Sequence, residues 1–461
     1  MFVYNRCTTD ARVLREAATL QAAGHEVQIV AVLDTTTSPR ELLPNGVQIL
    51  RIDRRPLHYR LAWWVRGRRR GFKLGARRIA RSVALRAIRP TGDRPPPEDA
   101  VVQQLLQERP VLRVMVLPIG PLLALLALSS AAIRRVLYAA HKPLMYTDYW
   151  GRGYRAAATA EFDVVHAHDL NTLPVAALIA RHSPAQLVYD AHELYPEVST
   201  LSALERWTWR RIEPGLVRQA DRVITVCDSI AQEISARYRV PVPHVLLNCP
   251  SRYEDVDPAA SPLRAAAGLE SDARRLILYQ GGFAPNRGLR ELALAMHQLD
   301  GAVLVMMGWG RLEDELVALI RAERLERRVV MLPAVPREQL HRWTSGADIG
   351  AIPYQPVGLN NTFSTPNKLF EYMAAGIPIA ATRLPEIAKI VDGHAIGVTF
   401  ERVEPDQIAA AIRRMLDDPA ELAAMRTRAL AIRGRYTWEH EEAKLLAVYD
   451  GLANGRAASG R

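Results

Sequence analysis

Short apolar runs alternate along the chain with stretches of helical period. Phe2-Val3-Tyr4 predicts a very short first strand, shorter than the usual five or six residues. Residues 12–23 carry a helical pattern stopped at Gly24, and 25–32 predict a second strand. Residues 162–169, 186–193 and 221–227 repeat one form: an apolar run that ends in polar residues, the last followed by a helix opening at Ser229. Residues 239–262 are punctuated by prolines and have weak periodicity, so they predict an interdomain stretch. Strands resume at 276–280, 302–307, 329–332 and 349–353. Apolar runs between helical periods predict parallel strands buried on both faces. The chain therefore predicts two doubly wound α/β halves, with ligands at the carboxyl ends of strands and between the halves.

Composition agrees with that architecture. A length of 461 residues suggests two to three domains. With 49% apolar and 24% charged residues, the chain can fill large cores, and disorder or coiled coil is excluded as its main architecture. Cys7, Cys227 and Cys249 are too few for a disulfide scaffold and favour a reducing compartment. The opening MFVYNRCTTD lacks the cationic and apolar pattern of a secretory signal.

The net charge of +11 is uneven. Positions 51–94 hold fifteen Arg or Lys against two acids, Asp53 and Asp93, and the rest of the chain is close to neutral. Tyr59, Trp63, Trp64 and Phe72 are interleaved there. Such a segment suits a polyanion. After Pro95-Pro96-Pro97, positions 114–133 form 20 residues without a charge, flanked by Arg113, Arg134 and Arg135. Pro118 and Pro121 disfavour a straight spanning helix and favour a bent, re-entrant or interfacial segment. Trp, Arg and an apolar run together predict a membrane-surface element facing anionic lipid. The alternatives are a helical insertion packed on its own domain, and nucleic-acid binding.

The segment 358–378, GLNNTFSTPNKLFEYMAAGIP, carries the most specific chemistry. Ser364 or Thr365 is placed to cap a helix, with Pro366 at its first position. Gly376 is placed to end it in the left-handed conformation, with Pro378 beyond. A helix start after a polar loop at a strand's carboxyl end is an anion site, and Lys368 adds a cation in the first turn. Glu371 is placed to accept hydrogen bonds from a diol such as ribose. An ordinary capped helix with solvated Lys and Glu is the bland alternative.

This segment resembles the donor-nucleotide signature of GT-B fold glycosyltransferases, specifically the large retaining family 4. Other stretches resemble that family in the right order: Thr9 to Ala17 with Gly24-His25-Glu26-Val27, Asp163 to Asp169, Tyr189 to Glu193, Leu247-Asn248-Cys249-Pro250, and Tyr436-Thr437-Trp438-Glu439 heading a final helix. The resemblance covers nearly the whole chain except about 51–155. It implies an N-terminal acceptor-side domain over 1–240, interrupted by the insert at about 51–155 and completed by a helix at 436–453. A nucleotide-sugar domain follows over 251–435.

The resemblance also implies roles. Glu371 matches the second Glu of a Glu-x7-Glu pattern and holds the donor ribose. Phe363 stands where the first Glu falls, so hydroxyls or backbone N–H groups near Ser364 and Thr365 take over the sugar contacts. Arg287 matches the residue that clamps the diphosphate. Gly282 replaces a second basic residue, which leaves Arg287, Lys368 and the helix start to neutralise the leaving group. Gly308 and Asn367 complete the donor site, and Gly308 with Gly310 either allows close backbone approach or forms an ordinary turn. His192 matches a histidine facing the donor sugar, expected as a neutral imidazole that bonds a hydroxyl or helps a proton move. His166, His168, Asp169 and Glu193 are weaker candidates, and Asp10 and Arg12 are expected to line the cleft.

Other patterns fail. His166, His168 and Asp169 fall short of a closed metal-ligand set. Asp255-Val256-Asp257 reads as linker, and no phosphate-binding Gly-rich loop, dinucleotide fingerprint or Ser or Cys nucleophile motif appears. The expectation is a metal-independent glycosyltransferase without cofactor. It would act on the inner face of the plasma membrane, on a lipid-linked or membrane-proximal glycan of the cell envelope. A sugar-nucleotide epimerase or hydrolase, and a non-catalytic membrane-bound binding protein, are the alternatives.

Overall fold

The computed structural model describes residues 1–54, 141–157 and 160–459. Most of the basic segment and all of the apolar run at 114–133 lie outside the described residues. Among those described, no helix is long and apolar enough to cross a membrane. One compact unit takes Met1–Ala31, Thr36–Arg51 and the chain from Ala157 onward, and Val32–Thr35 with Ile52–Ala156 form a second. The helix His141–Ala157, which lies in the second unit up to Ala156, carries an Arg152–Asp148 ion pair of 3.0 Å across one of its turns.

Within the first unit a mostly parallel sheet, antiparallel at β2–β3, and an all-parallel sheet give two Rossmann-like α/β domains. The N-terminal sheet contains β1 (Gln28–Val32), β2 (Arg40–Leu42), β3 (Gln48–Ile52), β4 (Val164–His168), β5 (Gln186–Ala191), β6 (Arg222–Thr225) and β7 (His244–Val245). The strand orders are β1-β3-β2 and β4-β5-β6-β7. Phe2 joins the two sets through parallel bridges to Val30 and Ala167. The predicted first strand thus shrinks to one bridge residue at the centre of the sheet. The helix Ala11–Ala22 follows, with Asp10 accepting from the Val13 N–H at 3.3 Å, and it stops before Gly24 as its sequence predicts.

The second sheet contains β8 (Arg275–Gly282), β9 (Ala302–Trp309), β10 (Val329–Pro333), β11 (Ile349–Ile352), β12 (Ile379–Thr382) and β13 (Gly397–Phe400). All pair in parallel, in the order β10-β9-β8-β11-β12-β13. Successive residues of β9 enter opposite cores. Ala302, Leu304 and Met306 pack on one face, and Val303, Val305 and Met307 on the other. This burial on both faces is what the unbroken apolar runs predict.

The strand order turns back between β8 and β11, and such a switch opens a crevice at the carboxyl ends. Tyr372 builds it. Its hydroxyl accepts from the Gln280 N–H at 3.1 Å and donates to the Leu278 carbonyl at 2.9 Å, replacing ladder bonds where the pairing of β8 with β11 ends. The final helix, Trp438–Ser459, packs in the core of the N-terminal domain, where the Trp438 indole N–H donates to Thr19 Oγ1 at 2.9 Å.

Candidate active site

The helix Asn367–Ala374 starts just beyond this crevice. Pro366 takes the N-cap position with extended backbone, and no side chain caps the helix. The expected capping by Ser364 or Thr365 is therefore corrected, and Pro366 sits one place earlier than predicted. The reason is local: Pro366 ends the loop in an extended conformation and its carbonyl accepts from the Leu369 N–H at 2.9 Å. Ser364 Oγ is left buried without a hydrogen-bond partner, and half-buried Thr365 stands beside it. The predicted left-handed end is present at Gly376, with φ +67°.

Two cations meet at this helix start. Lys368 is 6% exposed, and its Nζ lies 3.7 Å from the centre of the Tyr279 ring and 5.2 Å from that of Tyr354. The Arg287 guanidinium lies 4.0 Å from the Tyr354 ring centre. Among the described residues neither cation forms a salt bridge; aromatic faces stand where an anion would be expected. Burial, with the Arg287 charge added to it, pushes the Lys368 amine well below its usual range. A guanidinium and an ammonium that pair with no carboxylate at salt-bridge distance, at a helix N-terminus, make an anion site.

Glu371 lies one helical turn further along, on the same helix. Burial raises its carboxyl above the usual range, against a Gln280 hydrogen bond and the Lys368 charge. Gly282 is exposed at the end of β8. Gly308 has a packing reason for lacking a side chain: a Cβ there would stand 1.9 Å from the Gly281 carbonyl oxygen on the neighbouring strand. Close approach of backbone to backbone therefore explains it. Asn367 is exposed and its side chain is engaged, with Oδ1 accepting from Asn248 at 2.9 Å.

The N-terminal candidates gather at the ends of β4 and β5. Asp190 is fully buried and takes Arg12 in a fork, Nε to Oδ2 at 2.7 Å and Nη2 to Oδ1 at 2.8 Å. It also meets His192 Nε2 at 3.0 Å and His168 Nδ1 at 3.3 Å. Burial alone would raise Asp190, but Arg12 and then His192 hold it well below the usual carboxylate range. Arg12 is 3% exposed, so it anchors this cluster and does not line a cleft as expected. Asp10 caps its helix and accepts from the Asn5 amide at 2.7 Å.

His192 is also corrected. Burial alone would lower it, but Asp169 and Asp190 push it up to about 10. The two carboxylates thus favour the His192 imidazolium over the neutral ring expected. Its Nδ1–H, 3.5 Å from Asp169, is the less engaged donor. Asp169 itself adopts φ +63° with its Oδ1 accepting from the His192 N–H at 3.2 Å. Strain of this kind gathers at functional sites.

Glu16 was missed by sequence reasoning. Its carboxylate, with His166, His168 and Asp190, places ligand atoms within 4.8 Å of one another. In isolation the set would suit a divalent ion. Arg12, however, stands 3.1 Å from Glu16 and 2.7 Å from Asp190, so a side chain supplies the cation. Asn360 was missed as well. Its Nδ2 donates to Glu193 at 2.8 Å and its Oδ1 accepts from the Leu194 N–H at 3.1 Å, joining the 358–362 turn to the loop after β5. The signal was present in the polar pair Asn360-Asn361, but the partner lies 167 residues away.

Comparison with known proteins agrees with this fold. Residues 274–418 match the family described as Glycosyl transferases group 1, and residues 91–249 match Glycosyltransferase Family 4. The chain is 26% identical over 325 residues to D-inositol 3-phosphate glycosyltransferase 1 of Catenulispora acidiphila, covering 65% of this chain and 74% of that protein. It is 27% identical over 293 residues to glycogen synthase of Mycobacterium tuberculosis, covering 60% and 64%. Among solved structures, sucrose-phosphate synthase from Thermosynechococcus elongatus superposes with a TM-score of 0.67 at 17% identity, covering 96% and 93% of the two chains. Anabaena HepE in complex with UDP and glucose gives 0.64 at 15% identity, covering 98% of each.

Proposed function

Because this chain is a GT-B glycosyltransferase of the family 4 type, we propose that it moves a sugar from a nucleoside diphosphate donor to a lipid-linked or membrane-proximal glycan acceptor. The observation that carries the donor half is the pair of cations that form no salt bridge among the described residues, Arg287 and Lys368, at the start of the Asn367–Ala374 helix. HepE, with the same fold, was solved with UDP and glucose.

As the anomeric bond breaks, negative charge grows on the departing diphosphate. Arg287, Lys368 and the backbone N–H groups at the helix start stabilise it, which lowers the barrier because the charge is largest in the transition state. These cations are side chains, so the proposed reaction needs no metal ion. Glu371 anchors the ribose. Ser364 and Thr365 face the donor sugar in place of the carboxylate that Phe363 cannot supply. His192, as an imidazolium, donates to a sugar hydroxyl through Nδ1. It favours developing negative charge nearby and does not act as a base. Transfer proceeds with retention at the anomeric carbon.

The acceptor half rests on the sequence. The basic segment at 51–94 and the apolar run at 114–133 suit an anionic bilayer surface. Nucleotide sugars are cytosolic, which puts the enzyme on the inner face of the membrane. The test is turnover with UDP-, GDP- and ADP-sugars in the presence of membrane lipid, with the anomeric configuration of the product read by NMR. A retained linkage on a lipid-extractable product is expected. Donor breakdown without a glycan product selects a hydrolase, and nucleotide binding without any turnover selects a binding protein; either result overturns the proposal.

A further inference from the structure

Gln280, at the carboxyl end of β8, is 2% exposed, and its side chain spans from Glu371 to Thr344. Its Nε2 donates to Glu371 Oε2 at 2.6 Å, and its Oε1 accepts from Thr344 Oγ1 at 2.7 Å. Thr344 is fully buried at the end of the helix Arg337–Thr344, with its hydroxyl also 2.7 Å from the Leu340 carbonyl. Gln280 cannot slide, because its backbone N–H is taken by the Tyr372 hydroxyl.

The geometry points to Gln280 and Thr344 as positioning residues that aim the Glu371 carboxylate at the diol of the donor's pentose. This rests on the reading of Glu371 as the pentose anchor.

The chain of donors and acceptors has one consistent direction. An ionised Glu371 accepts only, so Gln280 must turn its NH2 toward it and its carbonyl toward Thr344. The single Thr344 proton is then shared between Gln280 Oε1 and the Leu340 carbonyl, each 2.7 Å away. Reversing the amide would set two oxygens against each other at 2.6 Å. Oε2 is thereby occupied, and Glu371 Oε1, which takes no hydrogen bond among the described residues, is left for the ligand. A charge-assisted bond between buried groups fixes direction better than packing does.

Charge around Glu371 is set from several elements. Lys368 faces it from its own helix, Arg337 from the helix that ends in Thr344, Arg15 from the helix Ala11–Ala22, and Tyr253 and Tyr354 from loops. The Gln280 N–H lowers the Glu371 carboxyl together with these cations, so its loss raises that carboxyl further.

The test uses the full chain and whichever of UDP, GDP and ADP binds, with its 2′,3′-dideoxy counterpart. The wild-type chain is expected to prefer the ribonucleotide by about tenfold. Gln280→Leu is expected to bring that ratio close to one and to raise the donor KM, with kcat nearly kept. Thr344→Val should act in the same direction by a smaller factor, and Thr344→Ser should restore the preference. Affinity that needs an ionised Glu371 is present above its pKa and lost as pH falls. In Gln280→Leu the acid limb of nucleotide binding should therefore move to higher pH. A ratio lost in Glu371→Ala but kept in both Gln280→Leu and Thr344→Val overturns this inference alone. A wild-type chain that does not distinguish the two nucleotides overturns the reading of Glu371 and the inference with it. If Gln280→Leu does not fold, the Thr344 pair gives the same readout.

Discussion

The ends of β4 and β5 and the start of the Asn367–Ala374 helix both bury charge, but they balance it differently. On the N-terminal side Arg12 and His192 face Asp190 and Asp169, so two cations meet two carboxylates inside the protein. Glu16 joins them with a carboxyl that burial and Asp190 push well above its usual range. On the C-terminal side Arg287 and Lys368 rest on the rings of Tyr354 and Tyr279. A neutralised cluster is held by its own folding and presents a fixed surface. A cluster lacking its anion is held at some cost to stability and gains most when an anion arrives. The first arrangement suits orientation of an acceptor or sugar, the second capture of a diphosphate.

Removing one charge from each side tests that contrast. Asp190→Asn should have the largest effect, because it leaves Arg12 and His192 buried without their shared carboxylate. A loss of about 3–5 kcal/mol in denaturant unfolding is expected, and an unchanged midpoint would contradict the closed cluster. Arg287→Ala should lower turnover by about a hundredfold without lowering the melting temperature of the unliganded protein. Near-normal activity would remove its assigned role.

Lys368→Met should stabilise the unliganded protein, by on the order of 1 kcal/mol, and abolish the thermal shift produced by nucleotide. A fall in stability would mean that Lys368 already has its counter-charge. The smallest effect is on pH. An arriving diphosphate raises the lowered Lys368 pKa, so affinity is full below the free-protein value and declines as pH rises toward the bound value. Titration calorimetry in buffers of different ionisation enthalpy, carried out between the free-protein and bound values, should show proton uptake on binding, and none in Lys368→Met.

The two sides also differed in how much could be read beforehand. The strands of the second sheet were legible because apolar runs such as 302–307 must be buried on both faces. Gly376 was legible because its position needed a left-handed residue. Lys368 and Glu371 were legible because they share one short helix. The Thr344–Gln280–Glu371 chain was not, since Gln280 lies 91 residues before Glu371 and reads as the end of an ordinary strand. The charge on His192 was hidden for a similar reason. A histidine's protonation depends on its neighbours, and Asp169 reaches it from another strand end. Capping at Ser364 or Thr365 failed because Pro366 settles the loop geometry first.

The most direct measurement is a crystal structure of the chain with bound UDP, GDP or ADP. The account predicts both phosphates between Arg287, Lys368 and the backbone N–H groups at the start of the Asn367–Ala374 helix, with the pentose diol on Glu371. Phosphates lodged elsewhere, or a Glu371 carboxylate turned away from the nucleotide, would contradict it.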